Sequence, residues 1–162
     1  MAIKTRSFLK NSNSDFNNIL DSVELASRET SSPTGTSTVL TNADTGKVIF
    51  MDASSANTIT LPAIATVETG WNVKVILTAT GAAGIINCAA GEDLIVGQVN
   101  AVDADASTQT VTNDADGDRI TFVDECLPGA YVDICSDGSK FYVHAFGTHA
   151  NASNKLTLTK ET

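Results

Sequence analysis

Aromatic residues make up only 6% of this chain, and no apolar run approaches the roughly 20 residues that a membrane-crossing helix needs. The first shortage leaves Ala and Val to supply much of the 42% hydrophobic content, which predicts a core built from thin strands. The second predicts a soluble product. The opening MAIKTRSFLK carries charge with no apolar block behind it, so it does not read as a secretion signal. Release from a cell would then need another route, such as lysis.

Cysteine is scarce as well. Cys88, Cys126 and Cys135 have no CxxC spacing, so no zinc or redox motif is written here. Their odd number argues against a disulfide framework. Cys126 and Cys135 could pair if their strands are neighbours, but buried free thiols are the expectation.

Basic residues are outnumbered ten to nineteen, giving a net charge of −9, and the imbalance is uneven. Lys4, Arg6 and Lys10 stand in a first decade with no acid. Between Glu92 and Asp137, eleven acids face one base, Arg119. A body this acidic repels nucleic-acid phosphates and anionic membranes, so neither is expected as a partner. The basic start suits docking on an acidic partner surface or plain solvation.

The chain's 162 residues suit one domain with an appendage. Residues 1–35 read as an arm. Within it Phe16, Ile19, Leu20 and Val23 fall at i, i+3, i+4 and i+7, one stripe of a short helix that Ser14 or Asp15 could cap. A helix this short is marginal unless its stripe packs on something. TSSPTGTST then reads as a linker.

Residues 36–162 switch to a period of two. GKVIFMD, NTITLP, WNVKVILTA, GIINCA, DRITFVD, AYVDIC and KFYVHAF alternate or run apolar between Gly, Asn, Asp and Pro, and KLTLTK adds an eighth candidate. Short strands with frequent turn signals predict an all-β domain, an antiparallel β-sandwich or jelly-roll-like body behind an extended or helical N-terminal arm. Asp137-Gly138 supplies hairpin-turn chemistry. Pro62 ends the strand before it or lies at a sheet edge, and Trp71 offers the largest single buried area. The Asp-rich stretch QVNAVDADASTQTVTNDADGD reads as a long excursion with one strand near Thr108–Thr112.

Chemistry is thin. Asp114, Asp116 and Asp118 alternate, and Glu125 is twelfth from Asp114, a spacing a calcium loop could use. Yet the glycine is fourth rather than sixth, and RITFVDE reads as a strand that carries Glu125 away. A turn leading into a strand is therefore preferred, with no metal expected. His144 and His149 lack a third ligand. No GxSxG elbow frames a nucleophile, and GAAG at 81–84 precedes a strand rather than a phosphate-binding helix. Neither enzymatic activity nor a cofactor is expected.

Two stretches carry a resemblance. DASSANTITLPAIATVETGWNVKVIL followed by GIINCAAGEDLIVG, and AYVDICSDGSKFYVHAFGT, resemble bacteriophage tail-fibre and head-decoration β-domains over about residues 47–148. Phe141-Tyr142 stands where a Trp-Tyr pair is frequent in those modules. A compact domain behind a short basic arm, without repeats, is most similar to a capsid decoration (cement) protein. The resemblance implies a virion structural protein on the outer surface of the capsid, a homotrimer bound to the major capsid protein. In that reading Lys4, Arg6 and Lys10 meet acidic capsid groups, while Phe8, Leu9, Phe16, Ile19, Leu20 and Val23 supply apolar anchorage. The alternative is a tail-fibre or receptor-binding adhesin module that recognises a host surface glycan.

Overall fold

The computed structural model describes residues 30–31, 37–104, 109–150 and 156–160. Twelve strands run through them: β1 (Thr30–Ser31), β2 (Ser37–Val39), β3 (Val48–Asp52), β4 (Asn57–Thr60), β5 (Asn72–Ala79) and β6 (Gly84–Asn87), followed by β7 (Ile95–Asp103), β8 (Gln109–Gly117), β9 (Arg119–Phe122), β10 (Tyr131–Ser136), β11 (Phe141–His149) and β12 (Thr157–Thr159). Among the described residues only Asn42–Asp44 and Ile64–Thr66 are helical, each a short 3-10 turn. The strands form a seven-stranded sheet, β1-β3-β5-β10-β11-β7-β8, and a five-stranded sheet, β12-β9-β6-β4-β2. Two layers around one core make this an all-β, sandwich-like fold.

From β1 to β7 the chain changes layer at every strand, odd strands joining the larger sheet and even ones the smaller. In consequence β1 and β3, β3 and β5, β2 and β4, and β4 and β6 pair in parallel. Parallel neighbours need a crossover between them. Here the strand in the opposite layer is that crossover, the part a helix plays in α/β proteins. The sheets are thus mixed rather than purely antiparallel. Period-two alternation reports that one face is buried; it carries no information about the direction of the neighbour. The antiparallel hairpin of β10 and β11 fills the space between β5 and β7, antiparallel to the first and joined in parallel to the second.

The core follows from the register. Ile49, Val75, Val132, Ala145 and Val99 stand side by side across the larger sheet, all buried. Ile59, Leu61, Ile86, Ile120, Phe122 and Leu158 belong to the same buried cluster from the smaller sheet and its continuation. Trp71, just before β5, is 2% exposed; its ring meets Phe141 edge-on at 5.8 Å, and its Nε1 donates to the Thr41 carbonyl at 3.1 Å. Pro62 lies buried two residues past β4, which it ends.

Several expectations change. The Asp-rich stretch is not an excursion with one strand: β7 and β8 are nine residues each and pair antiparallel at the margin of the larger sheet. Asn and Asp disfavour strands in isolation, but cross-strand pairing overrides that preference. The TSSPTGTST linker contributes both β1 and β2, so the end of the segment read as an arm is tied to the body. All three thiols are free, yet only Cys88 and Cys126 are buried; Cys135 is exposed on β10. Cys126 bridges His149 at the far end of β11, whereas Cys135 on β10 pairs with Tyr142 near the start of β11.

Candidate functional site

Every second residue of the larger sheet points away from the core, and pairing lines these residues into rows. One row reads Phe50, Ile76, Tyr131, Phe146 and Asn100 on β3, β5, β10, β11 and β7. The next reads Val48, Lys74, Asp133, His144 and Gln98, and a third reads Asn72, Cys135, Tyr142 and Val96. Among the described residues, Tyr142 (43%) and Phe146 (37%) are two of the three large hydrophobic side chains most open to solvent; the third, Val39, is on β2. The outer face of the smaller sheet presents Thr58, Thr60, Asn87, Arg119, Thr121 and Thr157, with Ile85 and the exposed Val39 among them. Among the described residues, the aromatic rings open to solvent lie on the larger sheet.

Local contacts stiffen this face. Lys74 Nζ lies 2.9 Å from the Asp133 carboxylate and 3.9 Å from the centre of the Tyr131 ring, joining an ion pair to a cation–π contact. The Tyr131 and Phe146 rings stack tilted at 6.2 Å. His144 Nε2 is 3.4 Å from the Asn100 side-chain amide. Beside the stack, a shallow depression of about 360 Å³ is lined by Asn72, Asp133, Cys135, Tyr142 and His144, among others. Tyr142 donates its hydroxyl to Asp137 at 3.0 Å, and that bond pushes the phenol's pKa up. Asp137 in turn accepts the Lys140 and Ser139 amides at 2.8 Å each, which hold its carboxyl below the usual range.

A second, acidic corner lies where the sheets meet. Lys160, after β12, sits 3.0 Å from both Asp93 and Asp116, and these two carboxylates raise its pKa. Glu92 accepts the Ile64 amide at 3.0 Å and so orients the neighbouring loop. Cys88 borders a depression of about 290 Å³ here, but burial pushes its thiol up to about 11; burial takes Cys126 to about 12. Neither is a thiolate near neutral pH, so neither is poised as a nucleophile or soft ligand.

The residues singled out from the sequence fare as follows. Lys4, Arg6, Phe8, Leu9, Lys10, Phe16, Ile19, Leu20 and Val23 lie outside the described residues. Asp114 and Asp116 fall within β8, and Asp118 lies between β8 and β9, so the stretch is strand rather than a loop. Asp116 is engaged by Lys160, and Glu125 sits beyond the far end of β9 with Oε2 buried and without a hydrogen-bond partner among the described residues. Among the described residues no group of three His, Cys, Asp or Glu side chains could hold a metal ion. His144 faces solvent, whereas His149 is buried. The sheet-face rows escaped sequence reading. Their members are scattered over five strands, and only the register brings them together.

Comparison with known proteins finds no matching family model, no matching curated protein and no matching solved structure. The fold therefore defines the class: an all-β, sandwich-like protein whose larger sheet carries exposed rings beside the Lys74–Asp133 ion pair on its outer face.

Proposed function

We propose that this chain is a virion structural protein, a decoration (cement) protein that binds the outside of a phage head and braces contacts between major capsid subunits. The observation that carries the reading is the pairing of Thr30–Ser31 with Val48–Ile49 at the margin of the larger sheet. In sequence, the segment that holds Lys4, Arg6 and Lys10 leads directly into that strand. A pull on the segment is thus taken up by sheet hydrogen bonds rather than by a loop. The charge division supports the same reading. Three bases precede any acid in the segment, while the body carries most of the nineteen acids and keeps its distance from nucleic acid and anionic membranes.

Gripping by an extended segment suits a protein repeated over a lattice, because many weak attachments add through multivalency. The test is decoration of phage heads by the full chain, imaged by electron microscopy. Density should appear at regular positions on the shell. Reversing Lys4, Arg6 and Lys10 to Glu together should abolish attachment while the circular dichroism of the β body stays unchanged. Unaltered occupancy by the triple variant, or density confined to the tail, would end the proposal.

A further inference from the structure

We infer that the outer face of the larger sheet is a self-association surface whose occupant is the same face of a second copy. The inference does not depend on the capsid reading. Its basis is the order of residues along the rows. Across β3, β5, β10 and β11 one row is wholly apolar: Phe50, Ile76, Tyr131 and Phe146. The adjacent row carries one cation and one anion in neighbouring strands, Lys74 on β5 and Asp133 on β10.

A two-fold axis running along the strands, between β5 and β10, lays β5 of one copy over β10 of the other and β3 over β11. Lys74 of each copy then stands over Asp133 of the other. Ile76 stands over Tyr131, and Phe50 over Phe146. Such an isologous contact requires a face that is complementary to itself, and this arrangement supplies it in both polarity and charge. The rest of the chemistry narrows the choice. A chain of net charge −9 repels its own copies over most of its surface. These two rows hold one acid and one base, so here the repulsion is locally cancelled. Face-to-face sheets pack about 10 Å apart with interleaved side chains, a distance that Lys, Phe and Tyr side chains span. Two-fold pairing also departs from the homotrimer that the phage resemblance implies, so the size of the assembly separates the two.

The test uses the full chain, sized by light scattering after gel filtration across micromolar concentrations, with circular dichroism to check folding. The wild type should be a dimer. Lys74→Glu places acid against acid across the axis, and Asp133→Lys places base against base. Each alone should weaken self-association on the order of 100-fold. Mixing the two variants in equal amounts should restore a dimer containing one of each, which native mass spectrometry resolves because their masses differ. A purely intrachain role for the Lys74–Asp133 pair cannot produce that rescue. Phe146→Glu should also give monomers, and it serves as the decisive variant if either charge change unfolds the chain. A wild-type monomer, a wild-type trimer, a mixture that stays monomeric, or a Phe146→Glu protein that stays dimeric would each overturn the inference. So would a monomeric wild type that binds immobilised polysaccharide and loses that binding with Phe146→Glu, since the face would then belong to a glycan.

Discussion

At Gly97 a β-carbon would stand 2.0 Å from the Val143 carbonyl oxygen, in a backbone with φ of 154°. No side chain fits that space, and the register of β7 against β8 shifts at the same place. The glycine lets β7 lie close against β11, beside the outer rows described above. Gly97→Ala should therefore cost about 3 kcal/mol or more in urea denaturation, strain and steric clash acting together. Ordinary melting of that variant would mean that the close approach is relieved cheaply. Trp71 makes a different point. Its ring fills the core against Phe141, and its one polar atom is satisfied by Thr41. Trp71→Ala should cost about 3–5 kcal/mol by the same measurement, and the low aromatic content leaves few rings to close the gap.

The hairpin of β10 and β11 shows how an element can be tuned by one carboxylate. Asp137 opens a four-residue turn, Asp137 to Lys140, in which Gly138 takes a positive φ of 86°. Backbone amides of Lys140 and Ser139, then the Tyr142 hydroxyl, favour the charged form of Asp137. A carboxyl depressed in the folded state adds stability that is present above its ordinary value near 4 and lost as pH falls through the folded value. Asp52, held down by Ser54, acts in the same direction. Asp137→Ala should thus lower the melting temperature at pH 6 and shrink the difference between pH 6 and pH 3. An unchanged difference would assign the pH dependence to other carboxylates. Eight strands, β3–β6 and β9–β12, were legible because each alternates or runs apolar between turn formers. The Asp137-Gly138 turn was legible for the same kind of local reason. β7 and β8 were not. Residues such as Asn113, Asp114 and Asp116 carry no strand preference, and what holds them is a partner strand. The sheet-face site was illegible for a related reason: Tyr131 and Phe146 are distant from Phe50 and Ile76 in sequence, and only pairing makes them one row.

In the whole molecule, sidedness is the main feature. One outer face is threonine-rich with Ile85 and Val39 among the threonines, the other carries exposed rings around the Lys74–Asp133 ion pair, and the acidic corner with Lys160 sits between layers. A sandwich of this kind can pair with itself through one side and leave the other in solvent, while β1, into which the leading segment runs, lies at a margin. The head-decoration proposal and the two-fold pairing thus make separate demands on the same body, and each has its own readout. The layering has a kinetic corollary. β5 and β7 are separated by a hairpin that ends 46 residues after β7 does, at His149 rather than Asp103. While the chain is emerging from the ribosome, both flanks of that slot expose unpaired amides and carbonyls until the hairpin is delivered. Synthesis halted before residue 149 would leave sticky, incomplete products, so the last third of the polypeptide closes the middle of the fold.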